Sequence, residues 1–104
     1  MEKNYIIDLN ECKLLNEASL ATMGFILKKT LKAMFSHHSF PGFKARGKQS
    51  DIEKFVAALA GEKKYMMSYI THGLDDPRTT SNKYKLDNAV RAFERQTGIK
   101  WPFN

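Results

Sequence analysis

The sequence is sparing in several ways, and each shortage removes a class of protein. Its one cysteine, Cys12, leaves no internal disulfide, which suits a reducing compartment and equally a secreted chain that needs no disulfide. No apolar run approaches the roughly 18 residues that a transmembrane helix requires. The opening MEKNYIIDLNE is acidic and lacks the basic region and apolar core of a signal peptide. Phosphate loops, glycine-rich dinucleotide fingerprints and zinc-protease motifs are missing. These absences lead to the expectation of a soluble, intracellular, non-enzymatic protein without a cofactor.

Acid is missing from one long stretch. Residues 18–50 carry Lys28, Lys29, Lys32, Lys44, Arg46 and Lys48 with no Asp or Glu, whereas Glu2, Asp8, Glu11 and Glu17 cluster before them. The net charge of +6 is therefore concentrated in one block. Such a block attracts phosphates, an acidic protein or an anionic membrane surface, or serves as a solvated face.

What is present is enough apolar material for a folded domain. Of 104 residues, 42% are hydrophobic, including seven Phe and four Tyr, and a chain of this length has room for one domain. Tyr5–Leu9 reads as a short strand or an extended arm within an N-terminal segment 1–16. Asn16 or Ser19 can cap an amphipathic helix over 17–35. Leu20, Met23, Leu27, Leu31 and Met34 recur there at helical spacing, Phe25, Ile26 and Phe35 widen the apolar side, and Lys28, Lys29 and Lys32 lie mainly opposite. Gly24 suggests close approach of another backbone. SHHSFPG, residues 36–42, breaks the helix. Phe43–Gly47 alternates apolar and basic as a half-buried strand does, and it can pair with Tyr5–Leu9 under covering helices.

Ser50-Asp51-Ile52-Glu53 has the form of a capping box. It opens a helix over 50–72 with Ile52, Phe55, Val56, Leu59, Met66 and Ile70 on one stripe, an option of a kink at Gly61, and a stop at Gly73. Leu74–Arg78 reads as a turn, and Thr80 or Ser81 as the cap of a last helix over 80–97, with Leu86, Ala89, Val90 and Phe93 inside. Gly98 follows as its C-terminal cap, with Ile99 placed for a Schellman contact back onto the helix. The fold expected over 43–104 is a strand, a helical hairpin and a closing segment. The whole is a mainly α (α+β) single domain of three helices with a short two-stranded β-ribbon.

Adjacent His37 and His38 rarely aim at one metal, and neither Cys12 nor His72 stands at a ligand spacing from them. A buried thiol is the ordinary state of Cys12, and Asp75-Asp76 before a proline reads as turn and cap. No catalytic or metal residue is assigned. The apolar side of the first long helix, Leu20, Met23, Leu27, Leu31, Met34 and Phe35, exceeds what a small core can cover and is the expected partner interface. A core helix and a helix lying on a membrane surface are its other readings. Lys28, Lys29, Lys32, Lys44, Arg46 and Lys48 are the candidate nucleic-acid or anion contacts. Lys44, Arg46 and Lys48 face one way if the strand holds them. Lys63, Lys64, Arg78, Lys83 and Lys85, with Tyr65 and Tyr84 for stacking, add to a sequence-tolerant contact. In GIKWPFN, Ile99, Trp101 and Phe103 form either a latch on the chain's own core or a plug for a partner, and the Gly98–Ile99 geometry favours the latch.

The succession FKARGKQSDIEKFVAALAGEKKYM and YITHGLDDPRTTSNKYKLDNAVRAFERQTGIKWPF resembles small proteins of tailed bacteriophages. An RG stretch precedes a capped helix, a GLDDPRT-like turn follows, and the pattern closes on TGxKWPF; LNEASLATMGFILKKTLKAMF resembles the leading helix of that family. The resemblance covers most of the chain and brings no activity with it. It implies a phage product, in the virion or in the host cytoplasm. The leading expectation is a structural or assembly protein contacting other phage proteins, as an oligomer or part of a complex. The alternatives are a host-directed binding protein that inhibits a defence or nucleic-acid enzyme, and a sequence-tolerant nucleic-acid binder.

Overall fold

A computed structural model describes residues 5–34 and 43–103 of the chain. The architecture is mainly helical with a small sheet, in the order β1 (Tyr5–Asp8), α1 (Leu9–Lys13), α2 (Glu17–Met34), β2 (Phe43–Arg46), α3 (Gln49–His72) and α4 (Pro77–Thr97). The chain divides into two compact units, one formed by Met1–Ile52 with Pro102–Asn104, the other by Glu53–Trp101.

In the first unit β1 and β2 pair as expected, and they do so in parallel, with Ile6 beside Lys44, Ile7 beside Ala45 and Asp8 beside Arg46. Parallel strands need a crossover, and α1 and α2 lie in that connection. Helix α2 packs against β1 and α1. The interior holds Ile7, Leu9, Cys12, Met23, Ile26, Leu27 and Leu31. Helix α1 departs from the strand-or-arm expectation for 1–16: the extended stretch ends at Asp8, whose carboxylate accepts from the amides of Asn10 (3.0 Å) and Glu11 (3.3 Å) and starts a helical turn. Gly47 has φ +149°, and a Cβ there would stand 3.1 Å from that of Leu9. The RG stretch thus needs glycine for both conformation and space. Asn16, not Ser19, caps α2, accepting from the Ser19 amide at 3.1 Å.

The helix beginning near Ser50 starts one residue earlier, at Gln49, with the Ile52 amide donating to the Lys48 carbonyl. Ser50 therefore stands in its first turn rather than before it. Asp51, also in that turn, is fully buried and paired with Lys13 at 2.6 Å. The expected end of the first long helix at Phe35 and the breaker 36–42, with His37 and His38, lie outside the described residues.

The second unit is the expected helical hairpin. Helix α3 runs unbroken through Gly61, where a Cβ would lie 3.2 Å from Leu86 Cδ1 and 3.3 Å from the Leu86 Cα. Glycine here admits α4 and introduces no break. The close backbone approach expected at Gly24 belongs to Gly61, since a Cβ at Gly24 would meet Pro102 Cβ at an ordinary 3.7 Å. Helix α4 begins three residues before Thr80. Pro77 occupies its first turn and Asp76 is the N-cap, accepting from the Arg78 amide at 2.8 Å. A proline lacks the N–H that the first turn leaves unpaired, so it begins a helix readily. The turn before α4 is correspondingly shorter than Leu74–Arg78.

The expected stops hold. The Gly73 amide donates to the Tyr69 carbonyl at 2.9 Å. Gly98 is left-handed (φ 74°), its amide donating to the Glu94 carbonyl at 2.8 Å. The second bond differs from a Schellman motif: the Ile99 amide donates to Thr97 Oγ1 at 3.1 Å, and that hydroxyl donates to the Phe93 carbonyl at 2.7 Å. Buried Thr97 thus intercepts the amide, leaving the simpler αL cap.

Candidate interaction surfaces

The apolar stripe of α2 does not present the surface expected of it. Met23 and Leu27 are at most 1% exposed and Leu31 is 5% exposed, with Ile26 fully buried between them. Leu20 is half-buried. The side chain of Met34, and Phe35 as a whole, lie outside the described residues. The face read as a partner interface is core at Met23, Leu27 and Leu31 and half-buried at Leu20, because β1 and α1 give α2 a surface to bury it on. Phe25, on another side of the helix, is 49% exposed, with the Lys29 ammonium 5.7 Å from its ring centroid.

The basic candidates are all exposed: Lys28, Lys29 and Lys32 on α2, Lys44 and Arg46 on β2, and Lys48 before α3. Alternate burial along β2 puts Lys44 and Arg46 on one face, in register with Ile6 and Asp8 of β1. Lys28 and Lys32 are one turn apart. Lys48 falls outside the alternation, since the strand ends at Arg46 and Gly47 turns the chain. The strand therefore aligns two of the three charges.

Ile99 is fully buried, Trp101 is 1% exposed and Phe103 is half-buried. In the second unit Trp101 stacks edge-on against Phe93 (centroids 5.3 Å apart) and Phe55 (6.0 Å), and those two rings are 6.0 Å from each other. Such pairs contribute about 0.5–1.5 kcal/mol each beyond area burial. The indole N–H donates to Glu62 Oε1 at 2.9 Å, and the Trp101 amide donates to Glu94 Oε2 at 2.9 Å. Glu62 is 8% exposed. Burial pushes its carboxyl above the ordinary glutamate value, while the indole bond and Lys83 pull it back. No sequence motif marked Glu62. Its place two turns beyond Phe55 and one turn beyond Ala58, on the buried side of α3, is the signal that could have found it.

The groups nearest to catalytic chemistry have structural work. Cys12 is buried, its Sγ 3.6 Å from the Ser19 carbonyl. Burial, then Asp8 and Glu11, raise its pKa, so less of it is the nucleophilic thiolate. Asp76 is held down to about 2 by hydrogen bonds from the Arg78 guanidinium and amide. Among the described residues no three of His, Cys, Asp or Glu are placed to share a metal ion, and no helix is long and apolar enough to cross a membrane.

Another surface was not anticipated. Val56, Met67 and Ile70 are 53%, 49% and 61% exposed, and Leu74 just past the helix is 60% exposed. Val56 and Ile70 were expected on the core stripe. The hairpin is instead closed through Gly61 at Leu86, Tyr65 beneath Lys83 (5.4 Å) and Ser68 bonded to Thr79 (3.4 Å). At 100° per residue, Val56, Met67 and Ile70 lie roughly opposite that seam. Met67 also borders a shallow cleft of about 270 Å³ with Lys64, Thr71, His72 and Asn82.

Compared with protein-family models, with curated proteins and with solved structures, the chain finds no match in any of the three.

Proposed function

We propose that this chain is a non-enzymatic structural or assembly protein of a tailed bacteriophage that acts by protein–protein contact. The observation that carries this reading is the exposed apolar line Val56, Met67, Ile70 and Leu74 on the second unit. Exposed apolar side chains aligned on one helix face are a feature of interaction sites. The contact face is thus moved from α2 to α3. The phage context rests on the sequence resemblance, and the virion or the host cytoplasm is the location it implies. The test is mass spectrometry of purified particles, together with recovery of a tagged copy from infected cells. Stoichiometric presence in particles or in assembly intermediates is the expected result. Absence from both overturns the reading, and stable recovery with a host enzyme replaces it with a host-directed binding protein.

A second reading, sequence-tolerant contact with nucleic acid, is favoured by Lys44 and Arg46 exposed on one face of β2 and Lys28 and Lys32 exposed on α2. Four phosphate contacts give a slope of log K against log salt near −3.6, that is about −0.9 per contact. Charge reversal at Lys44 and Arg46 would flatten it. A flat response in the unaltered protein removes the nucleic-acid role.

A further inference from the structure

We infer that the partner of the exposed α3 face is a second copy of this chain, paired with it in antiparallel orientation; this rests on the reading of the protein as one that acts by protein contact. Val56, Ala60, Lys63, Met67 and Ile70, all exposed, are separated by four, three, four and three residues. That alternation is the two-position seam of helices packed on one another. It runs for four turns on the side of α3 away from α4, and α3 is unbroken throughout.

A partner of unrelated sequence requires a complementary seam from elsewhere, whereas a second α3 supplies one. Two-fold pairing in which the first position of each repeat meets the second position of the other sets Ala60 against Ile70 of the second copy and Lys63 against its Met67. Small residues then face large ones. Lys63, the charged position in the seam, selects the direction. In a parallel pair two Lys63 ammonium groups would meet in the same layer, an unfavourable like-charge contact. In the antiparallel pair each Lys63 stem lies along a methionine while its charge reaches the rim.

The area is sufficient. Val56, Met67, Ile70 and Leu74, each about half exposed or more, offer roughly 400 Å² of surface per copy, the size of an apolar patch that marks an interaction site. With Ala60, the Lys63 stem and flanking groups from both copies, the total reaches about 1,200 Å², the low end for a specific complex. Interfaces at this low end are commonly those of weak, transient complexes.

Sedimentation equilibrium of the full-length chain at about 5–500 µM tests it, a range that spans micromolar dissociation constants. A monomer–dimer equilibrium is expected. Ile70→Glu should weaken it about 100-fold or more while melting like the original, because Ile70 is exposed in the single chain. Lys63→Leu should tighten it about tenfold by completing the seam. Mixed Ala60→Cys and Ile70→Cys chains should oxidise to the cross-linked heterodimer in preference to either homodimer, since native Cys12 is buried. A wild-type protein that stays monomeric throughout overturns the pairing, as does Ile70→Glu associating as well as wild type. Homodimeric cross-links between Ala60→Cys chains overturn the antiparallel arrangement. None of these failures touches the particle composition that tests the phage assembly role, so the two readings fail separately.

Discussion

Along α2 the side chains of Met23, Ile26, Leu27 and Leu31 are all at or below 5% exposure. Along α3 Phe55 and Ala58 are as deeply buried, yet Val56, Met67 and Ile70 stand about half or more in solvent. The two helices carry comparable apolar bulk and differ in what approaches them. Helix α2 has β1 and α1 laid against it. Helix α3 is engaged on one side by α4, where Gly61 admits Leu86, and next to that side by Trp101 through Phe55 and Glu62. Its remaining apolar side is left over. Which stripe becomes core is thus decided by the positions that permit close approach and not by the count of apolar residues.

The largest break in this contrast comes from Trp101→Ala. It removes the ring that joins Phe55 to Phe93 and leaves Glu62 without its indole donor. A loss of about 3–5 kcal/mol is expected in chemical denaturation, most of a small domain's stability. If the tail were a plug for a partner, the loss would stay within about 0.5 kcal/mol.

Gly61→Val is the next. The new side chain meets the Leu86 backbone, which cannot rotate away, so a cost of about 1–3 kcal/mol is expected despite the better helix propensity of valine. A Val substitution at Gly24, whose surroundings are looser, should cost less in the same melting experiment.

Smaller still is the effect of Glu62. Its folded-state pKa lies above the ordinary value, chiefly through burial, so the folded chain holds more protons than the unfolded one in the window between the two. Stability from this group is fully present below the ordinary glutamate value and falls as pH rises through the raised one. Glu62→Gln keeps an acceptor for the indole N–H and removes the titration. Its stability should therefore be flat across that window where the wild type declines, as read by denaturant midpoints against pH. A decline of equal slope in the variant would show that another group carries it.

Much of this fold was legible because its signals are local. Gly73 and Gly98 stop helices where they stand, and the alternation of Phe43–Arg46 identifies a strand. The errors also have local causes. Asp76-Pro77 reads as a turn and is equally an N-cap followed by a first-turn proline. Asp8-Leu9-Asn10-Glu11 carries an acid three residues before a glutamate, a helix-start pattern that overlaps the end of the β-prone run. The interaction surface was the least legible. Periodicity shows that α2 and α3 each have apolar stripes, but choosing between Phe55 and Val56 requires knowing that α4 docks through Gly61, a contact between residues distant in sequence.

The central claim is that the α2 stripe is interior and the outer α3 stripe is free surface, and paired thermal melts of Leu27→Asp and Ile70→Asp test it most directly. Leu27→Asp, which buries an unpaired carboxylate at a fully buried position, should abolish the cooperative transition or lower Tm by about 15 °C or more. Ile70→Asp, measured dilute enough to be monomeric, should melt within about 3 °C of wild type. Comparable collapse of both variants, or survival of Leu27→Asp beside loss of Ile70→Asp, would contradict it.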